Sequence, residues 1–454
     1  MGRLSRFVPW IVAVVGLVST TAILYPGQYV FDSAYQLWQA RTGQFNTLSP
    51  VAMTALWSLL LEFSANPATL LCLNLAMFWT GLALCVAALS STVPVRVVLL
   101  LAFGTAPLTL VEMAHVLTDA HMTAVLVLAT GLAAWGLTKA RRTPLLASLV
   151  LLLYAGTVRY NALAATLPLG AVIAIALTPR IARNWRTTSF AAVALGVLSL
   201  AAGFALDRAV AVDRVTVWPT IALWDLAAVS VDSDRLLLPA FTHGPGLTVD
   251  ELRETGAFDP TANTYLFQRT HSGMRDGLVE PYSADQLREI RRAWLDAVLQ
   301  HPVAYVRHRL RTFWLLVGPH RGSIYGVPYF VNRARYRDNP PLPIAFDPGL
   351  QHGFYALAAK LRPSWTFAAL PYLLFSVVAL ALGWARRNRP LAQLAAAASG
   401  GALLYAASFL PLAPAAELRY LTWPIVAGPL ALALALSTRG RAECREEVGS
   451  PQGE

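Results

Sequence analysis

The chain has 454 residues, of which 56% are hydrophobic and 13% are charged. A soluble domain carries about 25% charged residues, so this composition excludes an ordinary soluble protein and indicates a membrane protein. The net charge of +11 would suit a nucleic-acid-binding protein, but many basic residues stand in short clusters between apolar runs, which is the positive-inside pattern of membrane proteins. We therefore expect a lipid bilayer and no nucleic acid as the partner.

The first apolar stretch, residues 7–25, follows Arg3 and Arg6 and is long enough to cross a bilayer. No small-x-small cleavage site follows it, so we interpret it as an uncleaved first span rather than as a signal peptide. Nine further stretches approach the roughly 20 apolar residues that a spanning helix needs. They are 68–91, 96–113, 122–138, 144–157, 162–178, 188–206, 366–384, 391–411 and 420–437.

Two stretches are ambiguous, and the positions of the basic clusters decide both. The stretch 51–63 is short and contains Glu62, and the run 144–178 would form a helix about 50 Å long unless it breaks near Arg159. With ten spans and a cytoplasmic N-terminus, every short cytoplasmic segment is basic, as the positive-inside rule requires. One span more or fewer would place the later basic clusters on the extracytoplasmic side. We therefore expect 51–63 to lie on the outer leaflet as an interfacial helix.

These positions predict an all-α polytopic membrane protein of about ten transmembrane helices, in the plasma (inner) membrane, with both termini in the cytoplasm. Four parts are expected: seven spans in 1–206, an extracytoplasmic α-rich or mixed domain in 207–365, three spans in 366–437 and a cytoplasmic tail in 438–454. Inside the extracytoplasmic part, Ser283–Val317 predicts one or two helices, because Ser283 and Gln286 have the spacing of a capping box.

The first candidate site lies directly after the first span. Asp32 precedes a short amphipathic helix that carries Tyr35, Gln36, Trp38 and Gln39. A carboxylate just above the bilayer can act as a general base on an acceptor hydroxyl. Aspartate also commonly caps the N-terminus of a helix, and the residues alone favour that second interpretation of Asp32.

The second candidate site lies between the third and fourth spans. His115, Asp119 and His121 are of types and at spacings that can ligate a metal. The alternative is a polar loop in which Asp119 caps the fourth span, and the residues alone favour that alternative.

The third candidate is a set of arginines, whose planar guanidinium suits phosphate oxygens. Arg159 lies in the turn between two short spans, and Arg419 lies just before the last span. Each therefore borders a span on the same predicted face as Asp32. A further group, Arg307, His308, Arg309 and Arg311, lies on a helix of the extracytoplasmic part. The alternative for all of them is that the side chains extend to lipid headgroups.

An acidic residue in the first outer loop (Asp32), a short interfacial helix, an aspartate in a later outer loop (Asp119) and many spans resemble the GT-C superfamily of membrane glycosyltransferases. That superfamily includes protein O-mannosyltransferases and the aminoarabinose transferases that act on lipid A. The resemblance covers roughly 1–206, in layout more than in strict motif. The segments His301–Tyr305 and Glu417–Tyr420 also resemble parts of uncharacterised bacterial members.

The resemblance implies transfer from a polyprenyl-phosphate sugar donor to an envelope glycan, lipid or protein, and our hypothesis for its course is a direct, inverting attack on the anomeric carbon. Asp32 would then be the catalytic base, and Asp119 would orient the acceptor or help to place a divalent cation, the one cofactor expected. Arg159 and Arg419 would bind the donor phosphate. The chain departs from relatives in having one aspartate in the first loop and no proline after Asp119.

Accessory positions in such a site are His121, Tyr35 and Arg307.

Two other functions fit the composition. A transporter or flippase of a lipid-linked glycan would need polar residues along the interiors of its spans. A non-catalytic membrane protein would use its extracytoplasmic part to bind a partner.

Overall fold

Helices build the whole of the described fold. The computed structural model describes residues 7–178, 185–267, 273–319 and 334–437, and within these ranges it contains no strand, only isolated backbone bridges. The helices are α1 Val8–Leu24, α2 Phe31–Thr42, α3 Ala52–Phe63, α4 Thr69–Ala88, α5 Val93–Gly104, α6 Pro107–Met113, α7 Thr118–Lys139, α8 Arg142–Val158, α9 Leu163–Leu177, α10 Trp185–Val210, α11 Trp218–Ser233, α12 Val249–Glu254, α13 Ala284–Gln300, α14 Pro302–Val317, α15 Pro348–Leu361, α16 Leu370–Ala385, α17 Pro390–Leu412 and α18 Thr422–Leu436.

Six helices in the described part of the chain are long and apolar enough to cross a membrane. Each coincides with a predicted span, and the all-α prediction is confirmed. These helices are Thr69–Ala88, Thr118–Lys139, Tyr160–Leu177, Ser189–Val210, Pro390–Leu412 and Leu418–Leu436, the third and the last beginning with a short 3-10 turn.

The predicted span 96–113 is not one straight helix. It consists of α5 and α6, which meet at an angle of 54°. Pro107 causes the break, because proline lacks the N–H of the helical ladder and forces the residue before it, Ala106, into an extended conformation (ψ 124°). Counted as one span, this bent pair raises the number of candidate spans to seven.

The other three predicted spans are shorter helices. Helices α1, α8 and α16 have 17, 17 and 16 residues and reach about 25 Å, less than the roughly 30 Å of a hydrocarbon core. The count of ten spans therefore stays a prediction.

The break predicted inside 144–178 is confirmed, since α8 ends at Val158 and α9 begins at Leu163. Residues 51–63 also form a helix as predicted, α3, with Trp57 buried and Phe63 exposed.

The described residues between α10 and α15 have a hydrophobic core of their own. Trp224 and its neighbours on α11 pack there against α12, α13 and the start of α14. The predicted capping box is confirmed: Ser283 and Gln286 each bond the other's backbone at the start of α13. The chain then breaks at Pro302, so that α13 and α14 are two helices. Of the two forms predicted for this part, the described residues show the α-rich one.

Within the bundle, glycines let α4 and α7 pack closely against each other. A Cβ added to Gly131 would lie 2.4 Å from the Gly81 carbonyl oxygen, and one added to Gly81 would lie 2.6 Å from the backbone of Val127. Small residues let helix backbones approach this closely in membranes, where packing rather than the hydrophobic effect drives association.

Replacing Gly131 with alanine should force α4 and α7 apart, because the clashing atom is backbone and cannot rotate away. Overpacking of this kind costs about 1–3 kcal/mol, so the thermal unfolding midpoint of the purified protein in detergent should fall. The matched control is Gly400→Ala on α17, where an added Cβ makes an ordinary 3.6 Å contact with Leu380. Equal midpoints for the two variants would contradict this packing.

Candidate functional site

A backbone bridge joins the two loops in which the sequence places candidate residues. The Gln28 N–H donates to the Ala114 carbonyl (2.8 Å), and the Val116 N–H donates to the Gln28 carbonyl (3.2 Å). Gly27 makes this approach possible, since its φ of +109° suits glycine and a Cβ there would lie 2.8 Å from the Val116 side chain. The bridge brings the start of α2 beside the start of α7.

Asp32 lies in the first turn of α2 and is open to solvent. The N-cap residue is Val30 and makes no side-chain capping bond, so the interpretation of Asp32 as a cap is wrong. The Asp32 carboxylate instead faces the Arg419 guanidinium, with Oδ2 2.9 Å from Nη2. Its side chain keeps 47% of its surface exposed.

Arg419 is held from its other side by Glu417. Both stand at the 3-10 turn Leu418–Leu421 before α18, where the Arg419 Nε donates to the Glu417 carboxylate. Burial raises the pKa of Glu417, and the neighbouring guanidinium opposes that rise. The Arg419 Nη1 donates no hydrogen bond to any described residue.

Asp119 and Arg159 form the second acid–arginine pair. Arg159 ends α8, and its Nη1 lies 2.5 Å from Oδ1 of the buried Asp119. The N-cap of α7 is Leu117 without a side-chain capping bond, so the capping interpretation of Asp119 is also wrong. The guanidiniums of Arg159 and Arg419 lie 5.6 and 5.2 Å from the centre of the Tyr420 ring. The two pairs therefore meet at one aromatic side chain.

Two buried residues extend the cluster below the pairs: His115, one of the predicted metal ligands, and Glu112, which the sequence patterns did not single out. Glu112 on α6 accepts a hydrogen bond from Thr422 on α18 (3.3 Å), and its Oε2 lies 4.0 Å from His115 Nδ1. Burial and the charge of Arg419 lower the pKa of His115 to about 4, so its imidazole is neutral at neutral pH. A glutamate amid apolar residues was the signal available for Glu112, since burying a carboxylate in a bilayer is costly.

Two of the three accessory candidates, His121 and Arg307, lie apart from these pairs. His121 is buried between helices, with its ring nitrogens 2.7 Å from Asn74 Oδ1 and 2.8 Å from the Tyr154 hydroxyl. The two hydrogen bonds occupy both nitrogens, so His121 joins α4, α7 and α8. Arg307 is exposed on α14 and pairs with Asp232.

Tyr35 lies one turn after Asp32 on α2, among other aromatic side chains. Its ring is 6.3 Å from that of Phe31 and 4.9 Å from that of Tyr336, and its hydroxyl accepts from Asn46. Tyr35 is therefore the accessory candidate that the fold places on the same helix as the exposed carboxylate.

The expected divalent cation has no ready-made protein site here. Among the residues that the structure describes, no group of three or more histidines, cysteines, aspartates or glutamates is placed to hold a metal ion. In particular, His115, Asp119 and His121 do not converge, since His121 faces Asn74 and Tyr154 while Asp119 faces Arg159. The cation stays a prediction.

An apolar groove of about 370 Å³ lies between α5, α6, α16 and α18. Thr109 is in its wall and precedes Glu112 by one helical turn, while Ile425 and Val426 follow Thr422 by one turn. The groove therefore ends about one turn, ~5 Å, from the Glu112–Thr422 contact. This end of the groove lies near Arg419, since the Thr422 hydroxyl donates to the Arg419 carbonyl (2.6 Å).

No protein-family model, curated protein or solved structure matches the chain. The resemblance to GT-C transferases therefore stays a prediction carried by the layout of Asp32, Asp119 and the helices around them. What the cluster can do is decided by its own geometry: an exposed carboxylate, two fixed guanidiniums and a neighbouring apolar groove.

Removing Arg159 should destabilise the protein, because it leaves the Asp119 carboxylate buried without a cation. Breaking a buried pair costs about 3–5 kcal/mol, so Arg159→Gln should lower the thermal midpoint clearly. The double variant Arg159→Gln/Asp119→Asn should recover much of that loss. A double variant no more stable than Arg159→Gln would show that the pair does not hold α7 to α8.

Proposed function

We propose that this protein is a membrane glycosyltransferase that moves a sugar from a polyprenyl-phosphate donor to a hydroxyl of an envelope acceptor on the extracytoplasmic face. One observation carries the proposal. Of the four carboxylates in the cluster, only Asp32 is open to solvent, with 47% of its side chain exposed, whereas Asp119, Glu112 and Glu417 are at most 9% exposed. A general base must reach its substrate's hydroxyl, and Asp32 is the carboxylate that can.

Asp32 acts in this proposal as the base of a single displacement. Its carboxylate accepts the proton of the acceptor hydroxyl while that oxygen attacks the anomeric carbon of the donor sugar. The bond between the anomeric carbon and the phosphate oxygen breaks, and the polyprenyl phosphate leaves with the electron pair. Arg419 holds the carboxylate 2.9 Å away, which fixes its position before the acceptor arrives.

Arg159 and Arg419 are suited to the leaving phosphate. Arg159 Nη2 and Arg419 Nη1 donate to no described residue, so each guanidinium keeps donor capacity. Their carboxylate partners hold them in place in advance, and a fixed donor stabilises developing charge most effectively.

The apolar groove supports a lipid-linked rather than a nucleotide-linked donor. It is lined by side chains such as Leu99, Phe103, Phe375 and Pro429, which have no polar group that could bind a nucleotide. With the prenyl chain in the groove, the donor phosphate would lie beside Thr422 and Arg419. A transferase of GT-C type is the function that combines such a donor with a carboxylate base.

The distribution of charge favours an enzyme over a transporter. In the six long apolar helices, the charged residues are Asp119, Lys139, Asp207, Arg208 and Arg419, all within four residues of a helix end. A path for a polar glycan across the bilayer would need polar groups along the helix interiors. The charged residues of the candidate site, Asp119 and Arg419, instead lie where α7 and α18 begin.

Asp32→Asn should abolish transfer, because the amide keeps the side chain's shape but cannot accept the proton. General-base catalysis contributes about 10²–10⁴-fold, so the product should fall by at least two orders of magnitude. The measurement is mass spectrometry of envelope glycans in a deletion strain that carries wild type or variant at equal expression. Asp338→Asn, an exposed aspartate paired with Arg41, is the matched control and should restore the product. Full restoration by Asp32→Asn would overturn the assignment of the base.

Filling the groove should weaken use of a long-chain donor. Ala102→Phe on α5 places a ring in the groove, and Ala171→Phe, in a smaller groove of about 230 Å³ on α9, is the control. With purified protein, Ala102→Phe should raise the KM for the long-chain donor and leave the KM for a short-chain analogue unchanged. An equal rise for both donors would show that the groove does not hold the chain.

A further inference from the structure

Helix α14 carries an apolar stripe that no described residue covers. Val303, Val306, Leu310 and Trp314 follow one another at spacings of three and four residues, so they lie on one face of the helix. Their exposed fractions run from 49% for Val306 to 68% for Val303. The opposite face, with Ala304, His308 and Leu316, is buried. An exposed stripe of this length on a packed helix requires a partner.

Positive charge runs along one edge of the stripe. Arg307 and Arg311 are both exposed and lie one turn apart beside Leu310 and Trp314. Arg307 is paired with Asp232, while Arg311 forms no ion pair with any described residue. An apolar face bordered by arginines is the pattern of a helix that lies in a membrane surface, with its long basic side chains extended toward headgroups.

The fold places this stripe at the level where the membrane helices end. Leu316 and Val317, at the end of α14, belong to the main hydrophobic core of the bundle. Arg309 Nη1 donates to the Ala413 carbonyl (2.8 Å), directly after α17 ends at Leu412. Arg309 is itself buried and paired with Asp225 (2.6 Å), so it fixes the helix and is not part of the exposed edge.

We propose that α14 lies in the outer-leaflet surface and binds anionic phospholipid. The stripe from Val303 to Trp314 enters the acyl-chain region by about 5–10 Å, and Arg311, with Arg307, contacts lipid phosphate groups. This surface is separate from Asp32 and its partners, so it does not depend on the proposed transferase activity. Arg307 thereby has a role at the membrane surface and none in catalysis.

Charge complementarity selects this partner. A second copy packed antiparallel on this stripe would bring Arg307 and Arg311 beside the same arginines across a two-fold axis, where like charges oppose association. A zwitterionic lipid would satisfy the stripe but leave the arginines without a preferred counter-charge, whereas an anionic headgroup satisfies both.

Site-directed spin labelling of the full chain tests the placement. Cys72, Cys85 and Cys444 are replaced with alanine, and a nitroxide is attached to Val303→Cys or, as the control, to Val279→Cys. The two valines are 68% and 67% exposed, and Val279 lies in the turn before α13. In nanodiscs, the label at position 303 should relax more with oxygen than with nickel–EDDA, and the label at 279 should show the reverse.

A label at 303 as accessible to nickel–EDDA as the label at 279 would overturn the proposal, since the stripe would then face water. Dipolar broadening between labels at 303, with neither reagent gaining access, would also overturn it and indicate a second copy as the partner.

Lipid retention tests whether Arg307 and Arg311 recognise anionic headgroups. Native mass spectrometry of protein taken from nanodiscs of phosphatidylglycerol and phosphatidylcholine should show preferential retention of phosphatidylglycerol. Arg307→Gln/Arg311→Gln should reduce that preference, by about fivefold for each arginine that contributes. Arg253→Gln, which removes an exposed arginine of the same part of the chain, should not change it. An unchanged preference in the double variant, at an unchanged thermal midpoint, would refute anionic recognition by α14.

Discussion

The backbone bridge between Gln28 and His115 is the constraint on which the candidate site depends. It joins the loop after α1 to the loop before α7 through two main-chain hydrogen bonds, and Gly27 is what allows the two loops to come so close. Without the bridge, Asp32 and Asp119 would lie on unconnected turns. With it, α2 and α7 begin side by side, and the arginines of two other segments can reach both carboxylates.

The cluster that results has a buried side and an open side. Asp119, Glu112 and Glu417 lie inward, where burial makes each of them dependent on a partner, while Asp32 faces solvent. Such an arrangement separates two tasks. Asp119 fixes Arg159 and Glu417 fixes Arg419, both beside Tyr420, while the exposed Asp32 carboxylate stays open to solvent. The same division recurs in α14, whose buried Arg309 holds the helix while Arg311 faces outward.

Single-sequence patterns were sufficient for the six long apolar helices, because a bilayer span requires a long apolar run whatever its neighbours are. The break between α8 and α9 and the capping box at Ser283 were both predictable, since Arg159 interrupts one pattern and Ser283 begins another. Pro107 was itself a sequence signal for the bend, but the continuous apolar character of 96–113 favoured a single span. How far α1, α8 and α16 extend across a bilayer is not decided by apolar character alone, as each is at the lower limit of length.

For the site, the sequence by itself determined which residue types border the predicted spans: Asp32, Asp119, Arg159 and Arg419 are all charged groups that a bilayer would otherwise exclude. Only the tertiary structure decided their partners. Asp32 and Arg419 are almost 390 positions apart in the chain, and both aspartates form ion pairs rather than the caps that local sequence favoured. Capping is a local interaction that spacing can predict, whereas an ion pair between distant segments depends on how the helices pack.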